Sequence, residues 1–252
     1  ITFSFNEHWE NLRVKLGTSS RRYENHLRIL FNHAVKKEFL KVSPMKGSLK
    51  KMSNPEKPKI LTENQWRQLL LTAIETDEEL DLLSYVVLIL FMGLRPDSEV
   101  KRIDWKNINF KKAKLFIGDE DTGKSDLGRT LEIPKAALNL LHLCKRKIGK
   151  IVPVTYEHRK NWDILRQRAG FIVKDDSGGI IRNDWVPDIA RHTAGSMVYA
   201  KTQSREAVRT FLGHTNNVTM GYYVNHGDSM DEEAERFYSF QAPTETNQLT
   251  LN

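Results

Sequence analysis

The polar residues that could carry chemistry are, in chain order, Arg95, Lys124, Arg191 with His192, His214, and the adjacent pair Tyr222 and Tyr223. Side chains of these types suit phosphoryl transfer without a metal. A phosphodiester under attack gathers negative charge on its equatorial oxygens, and a planar, permanently charged guanidinium can grip two of them at once. Arg95 and Arg191 are the candidates for that role. A tyrosine hydroxyl titrates near ~10 and is a weak nucleophile until a base or a positive field helps remove its proton. His214 could take that proton or bind an oxygen. A departing sugar 5′-oxygen leaves poorly unless it is protonated, and a mobile lysine at a hairpin tip can reach it. Lys124, in Thr122-Gly123-Lys124-Ser125, is so placed.

Taken singly, each residue also has a plain structural reading. Arg95 could satisfy helix-end carbonyls, Lys124 could be a solvated loop lysine, and Arg191 and His192 could lie on the outer face of an amphipathic helix. His214 follows Gly213, a natural helix stop, and both tyrosines could be core aromatics. Only their order and spacing together argue for a site.

Helices must position most of these residues. Trp9, Leu12 and Leu16 fall at helical spacing, and after Gly17-Thr18-Ser19-Ser20 a second helix is marked by Tyr23, Leu27, Leu30, Phe31 and Ala34. Residues 1–54 are expected to be the C-terminal part of a small helical domain, with 55–60 as a linker. Pro44, Pro55 and Pro58 among lysines give the stretch around that boundary an extended character. A main domain is expected over 61–240, opened by the capping box Thr62-Glu63-Asn64-Gln65. An apolar helix from about Leu80 ends at Gly93, just before Arg95. Strand-like segments at Lys114 to Ile117 and Arg129 to Ile133 flank a polar loop that holds Lys124. Pro134 opens a helix expected to carry Ala137, Leu138, Leu141 and Ile148, and Trp162, Leu165 and Ala169 mark another. Ser177-Gly178-Gly179 reads as a turn. Ile189 to Tyr199 and Arg205 to Phe211 read as helices, the second stopped by Gly213. A last helix, roughly Ser229 to Phe240, carries Met230, Ala234 and Phe237. It could pack on its own domain or on a neighbouring copy. Residues 241–252 are expected to be a disordered tail. The fold class is mainly α with a small antiparallel β-sheet.

Charge narrows the partner. The 252 residues carry 39 Lys and Arg against 32 Asp and Glu, a net charge of +7, and the pI is about 9.3. The excess leads the chain: residues 1–60 hold 13 basic and 5 acidic side chains, whereas residues 225–252 hold 1 and 6. A stretch containing Lys36, Lys37, Lys41, Lys46, Lys50, Lys51, Lys57 and Lys59 suits a segment lying along phosphates, with double-stranded DNA as the partner. The single cysteine, Cys144, excludes an intramolecular disulfide framework and any multi-cysteine zinc site. The histidines lack metal-ligand spacing, so no metal and no cofactor is expected. The longest apolar run, Tyr85 to Met92, is shorter than the roughly 20 residues that span a bilayer. A cytoplasmic location is expected, with no membrane partner. A start at Ile1 suggests that residues precede it in the intact protein.

The ordered set resembles the tyrosine recombinases, or phage-type integrases. Their first arginine sits in a Gly-Leu-Arg turn after an apolar helix, matched by Phe91-Met92-Gly93-Leu94-Arg95-Pro96. A Trp-containing strand entry, Ile103-Asp104-Trp105, leads to the lysine hairpin through Lys124 to Leu131-Glu132-Ile133-Pro134. Arg191-His192-Thr193 matches the second arginine, and Leu212-Gly213-His214 matches the Leu-Gly-His box. The nucleophile stands nine residues past the histidine, which lands on Tyr223. The resemblance spans about residues 60 to 240. It implies the recombinase catalytic-domain fold and a site-specific recombinase that cleaves and rejoins DNA through a covalent 3′-phosphotyrosyl link, without metal or ATP, within a homo-tetramer on DNA. Tyr223 would be the nucleophile, Arg95, Arg191 and His214 would stabilise the transition state, and Lys124 would be the general acid.

Two departures stand out. Where the family has a histidine three residues before the second arginine, this chain has Asp188. An ionised carboxylate accepts hydrogen bonds and does not donate them; Asp188 is expected to orient Arg191 or another cation instead. His192 is no substitute, because the family carries a histidine there too. The family's acidic residue three positions after the first arginine is replaced by Ser98, and a one-residue slip would let Glu99 buttress the site. Two rivals remain: a DNA-binding relative that no longer cuts efficiently, and a DNA-relaxing enzyme of the type IB topoisomerase kind.

Overall fold

The computed structural model describes residues 5–16, 20–45, 59–122, 128–144, 148–152, 156–214 and 230–243. The chain divides into two units, Ile1–Glu56 and Lys57–Asn252.

In the first unit, α1 (Phe5–Leu16) packs against α2 (Ser20–Lys36). Trp9 is buried as its spacing predicts, but Leu12, Tyr23 and Leu30 are exposed. The inward stripe of α2 runs through Ser20, Glu24, Leu27, Phe31 and Ala34. Tyr23 and Leu30 lie seven residues apart on one line beside that stripe, off its centre.

The second unit is built around one apolar helix. Thr62 caps α3 (Glu63–Glu75): its hydroxyl accepts from the Gln65 N–H, and the Gln65 side chain accepts from the Thr62 N–H at 3.0 Å. The apolar helix expected from about Leu80 starts slightly later. A short α4 (Asp77–Leu80) ends at Asp81, whose φ of 53° is left-handed, and α5 (Leu83–Leu90) begins only after the Asp77 carboxylate accepts the Leu83 N–H at 2.7 Å. Every residue of α5 is buried. At about 1.5–3 kcal/mol for each large apolar side chain removed from water, this helix is the centre of the core. Helices α3, α7 (Lys135–Leu143) and α9 (Ile189–Thr202) pack on it.

After a 3₁₀ turn at Trp105–Asn107, strands β1 (Ile108–Asn109), β2 (Lys114–Ile117) and β3 (Arg129–Glu132) form an antiparallel sheet in that order, with Leu115 opposite Leu131 and Ile117 opposite Arg129. Helix α6 (Asp119–Thr122) is one turn in the loop between β2 and β3. Helix α7 does not extend to Ile148, which is 86% exposed. The chain there is drawn aside to pair with the segment before the 3₁₀ turn: the Trp105 N–H donates to the Gly149 carbonyl and the Ile151 N–H to the Ile103 carbonyl.

Helix α8 (Tyr156–Arg168) leads into a second hairpin, β4 (Ile172–Lys174) and β5 (Ile180–Asn183), around the turn expected at Ser177-Gly178-Gly179. Helix α10 (Arg205–Leu212) follows α9 after the left-handed Gln203, and Ser204 caps it. The last helix, α11 (Asp231–Tyr238), packs on α7 and α9 of its own unit. Phe237 is fully buried, 5.1 Å from Trp66 and 4.5 Å from Phe91 by ring centroids. No helix among the described residues is long and apolar enough to cross a membrane.

Candidate active site

Two glycines with left-handed φ bring the site together. Gly93 (φ +59°) ends α5 in a wide left-handed turn, in which the Leu94 N–H donates back six residues to the Leu88 carbonyl. A Cβ on Gly93 would lie 2.8 Å from Phe211 and 3.0 Å from Leu212, so this turn can press against the end of α10 only because the residue is glycine. Gly213 (φ +66°) ends α10 in a Schellman turn, with the His214 N–H donating to the Arg209 carbonyl and the Gly213 N–H to the Thr210 carbonyl, and its missing Cβ leaves room for the Arg129 guanidinium, whose Nη1 would be 2.6 Å away. Arg95 and His214 follow directly from these two stops.

The carboxylate beside Arg95 is that of Glu99, one position beyond the expected 98. The Arg95 carbonyl accepts from both the Glu99 and the Val100 N–H, a widened turn that takes up one residue and swings Glu99 inward. Glu99 is fully buried. Its Oε2 accepts the Arg95 backbone N–H at 2.8 Å and its Oε1 accepts Arg95 Nη1 at 3.2 Å. Arg129 approaches it with both arms, Nη1 to Oε1 at 2.7 Å and Nη2 to Oε2 at 3.2 Å. Arg191 Nη1 stands 3.4 Å from Oε2. Burial by itself would raise the carboxyl's pKa. The Arg129 hydrogen bonds, with the charges of Arg129 and Arg191, outweigh it and hold Glu99 below the ordinary carboxylate value, so it is an anion.

Arg191 stands in the first turn of α9, with its side chain 4% exposed. Besides Glu99, its terminal nitrogens donate to the Gly93 and Leu212 carbonyls. These are main-chain oxygens at the C-terminal ends of α5 and α10, where unpaired carbonyls carry partial negative charge and favour a cation. Arg191 Nη2 also lies 3.1 Å from His214 Nε2. A guanidinium has no acceptor, so Nε2 is the accepting atom and the imidazole proton sits on Nδ1. Arg95 is the more accessible arginine, at 20% side-chain exposure.

The expected residues thus separate into groups. Arg95, Arg191, His214 and Glu99, from three distant segments, converge. Asp188 precedes α9 at φ 61°; it is exposed and caps no N–H of that helix. The carboxylate within reach of Arg191 is that of Glu99, and the charge of Asp188 bears on His192. His192 is half-buried on α9, and burial pushes its pKa down against a smaller upward pull from Asp188. Lys124 and Tyr223, with Tyr222, lie outside the described residues, as do Lys46, Lys50, Lys51 and Lys57. Lys36, Lys37, Lys41 and Lys59 are exposed. Among the described residues no group of His, Cys, Asp or Glu could hold a metal ion.

Arg129 was legible only as part of a strand. Its signal is register: it shares the inward face of β3 with Leu131, and a charge on the buried side of a strand requires a partner. A neighbouring cavity of about 640 Å³, lined by Tyr85, Trp162, Trp185 and Asp188, borders Arg191 on its other side. Among the cations lining it, Lys101 pairs with Asp97 at 2.9 Å and Arg166 with Asp163.

The sequence profile described as the phage integrase family matches residues 59–230. No curated protein matches the chain. Among solved structures, the Tn1549 transposon integrase in complex with transposon right end DNA is similar with a TM-score of 0.67 at 15% identity, over 94% of this chain and 85% of that one. A lambda integrase dimer bound to a COC′ core site gives 0.60 at 16% identity, over 89% and 80%. The XerH site-specific recombinase bound to palindromic difH substrate gives 0.58 at 19% identity, over 93% and 71%. At these identities the structural likeness speaks for the fold, which is that of the tyrosine recombinases.

Proposed function

Because the chain belongs to the phage integrase family, we propose that it is a site-specific DNA recombinase that cleaves and rejoins strands through a covalent 3′-phosphotyrosyl link. The observation that carries this reading is the convergence of Arg95, Arg191 and His214 around the buried Glu99. One anion among several guanidiniums leaves an excess of positive charge where a phosphorane would gather negative charge.

The geometry supports the roles given to Arg95, Arg191 and His214, and the resemblance to the family suggests those of Tyr223 and Lys124. Arg95, the more exposed guanidinium, grips a non-bridging oxygen. Arg191 supplies a buried charge whose direction is fixed by two carbonyls. His214 has Nε2 engaged by Arg191 and donates from Nδ1–H. Tyr223 gives up its phenolic proton to solvent, helped by the surrounding positive charge, and attacks phosphorus; the bond to the 5′-oxygen breaks, and Lys124 gives that oxygen its proton. The phosphotyrosyl link conserves the phosphodiester energy, so rejoining needs neither metal nor nucleotide. Double-stranded DNA is the substrate, the exposed lysines contribute affinity along its backbone, and strand exchange takes place in a tetramer of this chain.

Incubating the protein with a random-sequence library of nicked duplexes and recovering SDS-resistant adducts tests this reading. Recovery of one sequence class, abolished by Tyr223→Phe, is expected. Binding without an adduct would favour the non-cutting relative with its Asp188, and adducts on every sequence would favour the relaxing enzyme. An adduct surviving in Tyr223→Phe would overturn the choice of nucleophile.

A further inference from the structure

We propose that Arg129 is a positioning residue of this site: it holds the Glu99 carboxylate so that Arg95 and Arg191 stay available to the phosphate. The proposal rests on the recombinase reading and deepens it.

Among the guanidiniums on Glu99, Arg129 makes the strongest contact. It is the bidentate partner, at 2.7 and 3.2 Å, whereas the side chains of Arg95 and Arg191 each reach the carboxylate once, at 3.2 and 3.4 Å. A carboxylate has room for one fork–fork pair along its two oxygens. While Arg129 occupies that direction, the other two arginines share the remaining lone pairs and are only partly neutralised. Without Arg129, a fully buried anion would close on Arg191 or Arg95, because an uncompensated charge is costly in the interior. The guanidinium so captured would be lost to the phosphate.

All three guanidinium nitrogens of Arg129 are engaged, Nε by the Phe211 carbonyl and both Nη by Glu99, so it is not itself a phosphate ligand. It also ties together segments that must move as one. Its Nε donates to the Phe211 carbonyl at 2.9 Å, fixing the end of α10 that presents His214. It opens the arm of the hairpin that follows the Lys124 loop. Gly213 is shaped to it, since any side chain there would meet the guanidinium. One arginine thereby links the first-arginine turn, the lysine hairpin and the histidine turn.

The test uses a nicked duplex recovered from the library above. Cleavage is followed in single turnover at saturating protein, DNA affinity by fluorescence anisotropy, and folding by circular dichroism. Arg129→Met is expected to slow cleavage about a hundredfold, in the range found when one preorganised charge is removed, while affinity changes less than about threefold, as expected for a group that touches no phosphate. Adding Glu99→Gln to Arg129→Met removes the stranded anion and should restore at least about tenfold of the rate, which a packing defect would not allow. Arg129→Lys, which keeps the charge and loses the fork, should be slowed about tenfold. A folded double variant no faster than Arg129→Met would overturn the proposal. If Arg129→Met does not fold, Arg129→Lys decides, and wild-type cleavage by it would overturn the proposal. If the unaltered chain forms no adduct, the recombinase reading fails and takes this inference with it. If it cleaves and the Arg129 variants match it, this inference alone fails.

Discussion

The chain carries positive charge in two physical settings. Lys36, Lys37, Lys41 and Lys59 stand exposed to solvent. Arg129 and Arg191 are buried, with each guanidinium held by a carboxylate and by main-chain carbonyls. Exposed charges are screened over about 8–10 Å at ordinary ionic strength and supply affinity without geometry. Buried ones are poorly screened and supply geometry. The net charge of the sequence sums both kinds and does not distinguish them.

The largest expected effect is at Arg191. Arg191→Ala leaves Glu99 and two helix-end carbonyls without that donor, so chemical denaturation should show a loss of about 3–5 kcal/mol, and no adduct should form. A stable Arg191→Ala variant would place this residue with the exposed lysines and break the distinction.

Gly93→Ala comes next. A left-handed φ and a 2.8 Å approach to Phe211 should together cost about 1–3 kcal/mol, measured as a fall in the denaturation midpoint. It should also slow cleavage, because the turn carries Arg95.

Glu99→Gln sharpens the comparison through pH. The folded carboxyl titrates below its ordinary value of 4.5, so the unfolded chain takes up the proton first as pH falls. Its stabilising contribution is complete above 4.5 and disappears as pH drops through the lower folded value. The stability gap between wild type and Glu99→Gln, measured by urea unfolding, should therefore be constant from pH 7 to about 5 and narrow below 4.5. A gap independent of acid would mean that Glu99 is not the charged hub.

The smallest effect on stability is expected from replacing Lys36, Lys37 and Lys41 together by Gln, within about 0.5 kcal/mol. The salt dependence of DNA affinity should flatten, with the log–log slope falling by about 0.9 for each phosphate contact removed.

What was legible in the sequence follows the same division. Elements fixed by local chemistry were readable: the Thr62 capping box, the Gly93 and Gly213 stops, and the α9 and α10 spans all leave short-range signals. The start of α5 at Leu83 rather than about Leu80 was hidden because it depends on the Asp77 side chain, six residues before the N–H it accepts. The end of α7 was hidden because pairing of 149–151 with 103–105 overrides the apolar spacing that includes Ile148. Among site residues, Arg95, Arg191 and His214 were found through ordered motifs, and Glu99 was considered but left unassigned because a widened turn has no residue signature. Arg129 escaped because its meaning depends on strand register and on a partner 30 positions away.

The seating of Arg191 on the Gly93 and Leu212 carbonyls has one more consequence. A peptide oxygen is common to every amino acid, so no point substitution can delete those two acceptors; only a change in the path of the backbone can. Lineages descended from this protein could therefore replace many of the surrounding side chains, and alter their preferred target as they did so, while the arginine kept its aim.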